Sequence, residues 1–176
     1  MKKLFMMAAM MVATLAVNAQ VYVGGSLGFE SSKANKDADA TTSFSIKPEV
    51  GYNLDENWAV GIQLGYSSDE QGKDYTESRF EIAPYARYTF AKSGIASFFV
   101  DGGIQFISRG SDAEGSMFGI GVRPGVKIAA SNKVDVIAKL GYLGYKKYND
   151  DWNGGGSAFG LNIDNTNLEL GVFFNF

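Results

Sequence analysis

The segment LELGVFFNF (168–176) has an apolar residue at every second position. Its apolar positions are Leu168, Leu170, Val172, Phe174 and Phe176. Successive side chains of a β-strand point to opposite faces, so the segment is predicted to be a strand with one apolar face. The other face carries Glu169, Gly171 and Asn175. A strand of this kind separates an apolar environment from a polar one.

The same alternation recurs along most of the chain. Seven further segments show it, at 21–29, 44–52, 58–66, 80–90, 98–106, 118–128 and 134–142. None of the residues on their apolar faces is charged. The segments have about the ten residues that a tilted strand needs to cross a bilayer. The pattern therefore predicts an all-β, eight-stranded antiparallel up-and-down transmembrane β-barrel.

The opposite face of these strands is rich in glycine and carries six acids and six bases. Eight strands enclose a space that side chains just fill, and a charge in a dry space is costly unless it is paired. We therefore predict a lumen charge network, with glycines leaving room for its long side chains. Its members are Glu30, Lys47, Glu49, Arg79, Glu81, Arg87, Asp101, Arg123, Lys127, Asp135, Lys139 and Glu169. Substitution of Gln63, on the same face, is expected to cost much less than an arginine on the apolar face.

The start of the chain has the composition of an export signal. Lys2 and Lys3 precede an apolar run of about 14 residues, and the small residue Ala19 follows. The run is shorter than the ~20 residues of a membrane-spanning helix. Residues 1–19 are therefore predicted to be a cleaved signal peptide and residues 20–176 to be the barrel domain. An uncleaved anchor helix is the alternative.

The connections alternate in length. Short turns are predicted near 55–57, 92–94 and 131–133, and longer polar loops near 31–42, 68–77, 109–116 and 147–164. Outer-membrane barrels have short periplasmic turns and long external loops, and an even strand number puts both mature termini in the periplasm. Pro48, Pro84 and Pro124 cannot donate to the ladder, so a bulge or a locally opened ladder is expected at each. The sequence gives no reason for their recurrence.

A secreted soluble barrel of the lipocalin kind would also have eight strands. Three features favour the membrane instead: the glycine content of the polar face, its balanced charge, and aromatic residues at both ends of the apolar face. Tyr52, Trp58 and Phe176 lie near the short turns, and Phe44 and Tyr142 near the loops. Two such aromatic girdles suit a bilayer with two interfaces.

With these features the sequence resembles the family of small outer-membrane β-barrel proteins that includes the membrane domain of outer membrane protein A and its shorter relatives. The resemblance covers essentially all of residues 20–176. It implies a Gram-negative outer membrane, with its lipid and lipopolysaccharide as surroundings. It also implies a C-terminal assembly signal, read by the barrel assembly machinery, at Leu168, Leu170, Val172, Phe174 and Phe176.

The composition argues against catalysis. The chain has no histidine and no cysteine, and histidine is the usual acid or base near neutral pH. We expect no enzyme activity, cofactor, metal site or nucleic-acid partner. The leading hypothesis is a structural or interaction barrel that stabilises the envelope and presents loops outward; a small pore or transport protein is the alternative. The fourth loop (146–165), with Trp152, is either a ligand-contacting tip or a solvated loop against lipid headgroups.

Overall fold

The computed structural model describes residues 20–33, 40–71, 75–112, 114–152, 154–162 and 168–176. The predicted signal peptide, residues 1–19, lies outside them. The strand segments are β1 (Val21–Lys33), β2 (Ala40–Asn53), β3 (Trp58–Gln71), β4 (Tyr75–Ser93), β5 (Ala96–Ser111), β6 (Gly115–Ala129), β7 (Val134–Lys139), β8 (Tyr142–Tyr148), β9 (Gly156–Asn162) and β10 (Glu169–Asn175). Within the described ranges, no helix has the length and apolar character needed to cross a membrane.

These segments form one closed antiparallel barrel of eight strands. Segments β1 to β6 each pair with their neighbours in sequence. Segment β6 then pairs with both β7 and β8, which together make the seventh strand. Segments β10 and β9 pair with β7 and β8 and make the eighth. β10 returns to β1 through pairs from Tyr22↔Asn175 to Ser26↔Gly171. The predicted fold class is confirmed.

Side-chain exposure follows the alternation. Large apolar residues of the predicted outer face are exposed, among them Val60, Leu64, Phe80, Phe106 and Val172. Their neighbours in sequence point inward, and most of the buried polar side chains belong to that inner face. An apolar exterior around a polar interior is the arrangement of a barrel surrounded by lipid.

Several strands are longer than the sequence predicts. Segments β4 and β5 have 19 and 16 residues. The predicted loop 68–77 is mostly strand, since β3 runs to Gln71 and β4 begins at Tyr75. Backbone pairing needs no apolar side chains, so the ladder continues past the apolar face into polar sequence. The short connections agree with the prediction, and Asp55 stabilises the first by accepting hydrogen bonds from the amides of Asn57 and Trp58.

Each proline lies beside an interruption of the ladder, as predicted. Between β2 and β3 the pairs Ile46↔Tyr66 and Glu49↔Gln63 flank an unpaired stretch that contains Pro48. A similar stretch on β4 contains Pro84, between its pairs at 82 and 85 with β5. Neither interruption changes the register. The locally opened ladder follows from the missing proline N–H.

At Pro124 the interruption is a bulge that reverses the faces of the seventh strand. The pairs Val122↔Leu143 and Gly125↔Lys139 leave one more residue on the seventh strand than on β6. Gly141, at φ 64°, has the left-handed conformation that such bulges use. A slip of one residue turns every later side chain over. Tyr142, predicted to lie in the outer girdle, is therefore buried inside, at 8% exposure, and Leu143 faces outward.

Candidate functional site

Glu49 is the most buried acid of the lumen, with 0% of its side chain exposed. It accepts hydrogen bonds from Lys139 Nζ at 2.7 Å and from the Tyr85 hydroxyl at 2.5 Å. Arg87 Nη2 lies 3.3 Å and Gln63 Nε2 3.2 Å from its two oxygens. Four donors, two of them cationic, therefore compensate the loss of water around this carboxylate.

Asp101 is the second carboxylate at this level. Arg87 binds it through two parallel contacts, Nε to Oδ1 at 2.7 Å and Nη2 to Oδ2 at 2.8 Å. This bidentate geometry is the strongest form of the carboxylate–guanidinium pair. Lys139 Nζ lies 3.4 Å from Asp101 Oδ2, so both bases contact both acids. We call Glu49, Gln63, Arg87, Asp101 and Lys139 the central layer.

Gln63 connects the central layer to a second group nearer the long loops. Its Nε2 donates to Glu169 Oε1 at 2.6 Å as well as to Glu49 Oε2 at 3.2 Å. Lys47 Nζ and Arg123 Nη2 each lie 3.4 Å from Glu169 Oε2. Lys47 Nζ also lies 3.5 Å from Glu81 Oε2. We call Lys47, Glu81, Arg123 and Glu169 the upper layer.

Arg79 lies at the loop end of the lumen and pairs differently from the prediction. Its partners are Asp69 at 3.0 Å and Glu77 at 2.6 Å, neither of which belongs to the predicted set. Both acids come from the predicted loop 68–77, which the longer strands convert into barrel wall. Arg109, also missed from the sequence, lies 3.4 Å from Glu77 Oε2. The extension of the strands thus adds an ionic group above the upper layer.

The remaining predicted residues lie elsewhere. Lys127 Nζ is 3.7 Å from Asp135 Oδ2 near the short turns. The side chain of Glu30 lies outside the described residues. The described members therefore form three groups along the barrel axis. The largest consists of the central and upper layers, which Gln63 connects. The other two are the Arg79 group at the loop end and the pair of Lys127 and Asp135 near the short turns. The charge balance was readable from the sequence, whereas the partition into groups was not.

An apolar cluster that the sequence did not predict lies at the turn end of the lumen. Its members occupy inward positions between lipid-facing residues: Tyr22, Ala59, Phe99, Ile137 and Phe173. Phe99 is 1% exposed, and its ring lies 4.1 Å from the Arg87 guanidinium carbon. The sequence feature that could have predicted this cluster is an apolar residue on the inward face, where the other strand positions hold charged residues or glycine. This cluster forms an apolar floor beneath the central layer.

Gln63 is an uncharged member of the ionic interior. It is 2% exposed and donates to two carboxylates of different strands. Removing its amide would take one donor from each acid, and both acids would keep cationic partners. That its substitution costs much less than a charge on the apolar face stays a prediction.

Three small cavities lie along the described part of the lumen. One of about 40 Å³ lies beside Gln63, Asp101 and Lys139. A cavity of about 80 Å³ lies on the turn side and is bounded by Arg87 and the apolar floor. Another of about 160 Å³ lies on the loop side, bounded by Lys47, Glu81 and Arg123 of the upper layer and by Lys146. The central layer stands between the turn-side and loop-side spaces.

The fourth loop packs against the barrel rim where it is described. The Trp152 ring lies 4.0 Å from the Arg109 guanidinium carbon and 5.3 Å from the Tyr148 ring. Trp152 therefore packs against the rim of the barrel. This position differs from both the outward tip and the headgroup contact that the sequence suggested. Within the described parts of the chain, no group of three or more acids is arranged to hold a metal ion.

A closed eight-stranded barrel with an apolar exterior and an ionic interior defines a β-barrel membrane protein. The sequence model of the outer membrane protein beta-barrel domain matches residues 4–176, so the chain belongs to that family and to the outer membrane. No curated protein sequence matches the chain. Among solved structures, neisserial surface protein A is similar, with a TM-score of 0.52 and 17% identity over 90% of this chain and 98% of that chain. At this identity the likeness shows the fold alone.

Proposed function

We propose that this protein is a structural and interaction barrel whose charge-plugged lumen is closed to ions. The observation that carries the proposal is the central layer, in which two acids and two bases contact one another and are almost fully buried. An ion crossing this layer would have to separate buried pairs. Removing one partner from such a pair costs about 3–5 kcal/mol. The layer is therefore expected to block permeation and to stiffen the barrel.

In this proposal the loops face the exterior and carry the interactions, among lipopolysaccharide and other outer-membrane lipids. Both mature termini lie in the periplasm after cleavage behind Ala19, and the barrel assembly machinery inserts the chain by its last strand. No enzyme activity is proposed, because the chain has no histidine or cysteine and its buried acids are paired with bases. The external ligand is left open.

Conductance of the purified protein in a planar bilayer tests the plug. The unmodified barrel should show no steady current at neutral pH. A triple variant with alanine at Glu49, Arg87 and Lys139 removes the crossing side chains and should conduct, provided that it still shows the gel-mobility shift of a folded barrel. Steady, ion-selective current through the unmodified protein would instead support the small-pore alternative. A folded triple variant without current would show that the central layer is not the barrier.

The interaction role needs a cellular test. A strain that lacks the protein should leak a periplasmic reporter and adhere less. A strain with the connection between β8 and β9 shortened should keep its barrier but adhere less, because the barrel wall is intact. Unchanged leakage and adhesion in both strains would contradict the proposal.

A further inference from the structure

Three lumen residues at the turn end of the barrel meet on one carboxylate oxygen. Asp135 Oδ2 accepts a hydrogen bond from Asn175 Nδ2 at 2.9 Å and lies 3.7 Å from Lys127 Nζ. Lys127 is on β6, Asp135 on β7 and Asn175 at the end of β10, all within the described ranges. β7 pairs with β6 on one side and with β10 on the other. The acid therefore stands between an amine and a carboxamide from its two flanking strands.

These side chains lie beside the apolar floor. They line the turn-side cavity of about 80 Å³ together with Ile137 and Phe173. Lys127 pairs with Ile137 across the ladder, and Asp135 pairs with Phe173. The Asp135 side chain is 8% exposed. Apolar surroundings disfavour charge, and transfer of a proton from the ammonium to the carboxylate removes both charges of this pair.

A similar trio, Lys139, Glu49 and Gln63, lies in the central layer, but further partners hold its ions. Lys139 contacts a second carboxylate and Glu49 a second cation, and these contacts stabilise both charges. Within the described ranges, Lys127 has Asp135 as its one carboxylate partner. Lys127 is therefore the better placed of the two lysines to lose a proton and act as a nucleophile.

We propose that Lys127 and Asn175 form an isopeptide bond with Asp135 as the acid–base group, a covalent cross-link that goes beyond the scaffold role. The Lys127 ammonium gives one proton to Asp135 Oδ2, and the neutral amine forms a bond to Asn175 Cγ. The Cγ–Nδ2 bond breaks, and a second proton of the amine passes through Asp135 to the leaving nitrogen. Ammonia departs, a secondary amide remains, and Asp135 keeps the first proton. The step needs no oxidant and no other reactant.

The fold supplies the proximity that this reaction needs. The amine and the carboxamide contact the same oxygen, and the flexible lysine stem can bring the amine onto the amide carbon. Holding two reactants together in this way replaces a collision in solution by a step within one molecule. The bond ties β10 to β6 across β7, beside the closing pair Tyr22↔Asn175. It therefore prevents the last strand from fraying at the turn end.

Tryptic digestion and mass spectrometry test the proposal on the full chain, folded in phosphatidylcholine vesicles and then denatured in urea without heating. Trypsin does not cut after a lysine whose amine is acylated. The digest should therefore contain residues 110–133 joined to residues 148–176, with the loss of one ammonia. Cleavage after Lys139 should be normal, because that amine stays free. The digest also separates this loss from the loss of ammonia by an N-terminal Gln20, which intact mass does not.

Two variants and two controls separate a cross-link from an ion pair. Lys127→Arg keeps the positive charge but has no nucleophilic amine, and Asp135→Asn keeps the side-chain shape but cannot take the proton. Both should abolish the link in barrels that still show the gel-mobility shift of folding. Lys133→Arg, in an exposed turn, should keep the link. Wild-type chain held in urea and never folded should lack it, because only the fold brings the three residues together.

The wild-type comparison stands even if a variant fails to fold. Folded wild-type protein that gives separate, unmodified peptides at Lys127 and Asn175 would overturn the proposal. A link that persists in folded Asp135→Asn, or that forms equally in the never-folded chain, would overturn it as well.

Discussion

Replacing Lys139 with methionine should destabilise the barrel strongly. Methionine keeps most of the volume of a side chain that is 3% exposed, so the change removes charge more than packing. Glu49 loses its nearest cation, at 2.7 Å, and Asp101 loses a contact at 3.4 Å. Asp101 keeps its bidentate bond to Arg87, so most of the loss falls on Glu49. We expect a decrease of about 3 kcal/mol in the free energy of unfolding, the lower end of the range for a broken buried pair.

The assay is urea unfolding in phospholipid vesicles, followed by tryptophan fluorescence and by the gel-mobility difference between boiled and unboiled samples. Lys133→Met is the control, because Lys133 lies exposed in a short turn; it should leave stability unchanged. Adding Glu49→Gln to the Lys139→Met variant should restore part of the loss, since the uncompensated charge disappears. A Lys139→Met variant as stable as the control, or a double variant whose losses simply add, would refute the ionic account of the central layer.

Three other outcomes follow from the structure. Val60→Arg puts a charge on the exposed outer face and should cost about 2–4 kcal/mol near the bilayer centre; the same unfolding assay should show no such loss for Val60→Leu. Phe176→Asp should lower the amount of barrel in the outer membrane far more than Asn175→Asp. The reason is that Phe176 lies on the outer face at the closing seam, where its N–H donates to the Val21 carbonyl. Equal amounts of the two variants in the outer membrane would count against this reasoning. The amides of its own turn hold the pKa of the exposed Asp55 carboxyl below its usual 3.8. Its contribution to the stability of the barrel is therefore complete above pH 3.8 and is lost as the pH falls through the lowered pKa. The stability difference between wild type and Asp55→Ala should shrink in acid, and a difference that grows there would contradict the assignment.

The sequence alone determined the class of this protein. A period of two over eight segments indicates which side chains share a face, because successive side chains of a strand point to opposite sides. The absence of charge from one face, and its balance on the other, then indicate lipid outside and paired ions inside. The three prolines located the interruptions of the ladder, because a missing N–H acts locally and needs no knowledge of the partner strand.

Only the tertiary structure decided the partners and the exceptions. Arg79 pairs with Asp69 and Glu77 because β3 and β4 extend beyond the apolar face, and no local pattern sets where such a ladder stops. Tyr142 turns inward because one extra residue in the seventh strand reverses its faces, which depends on the register against β6. Gln63 joins two ionic groups because closure brings Glu49 and Glu169, which are 120 residues apart, to the same amide. Such contacts depend on the stagger between strands, and alternation along one strand carries no information about stagger.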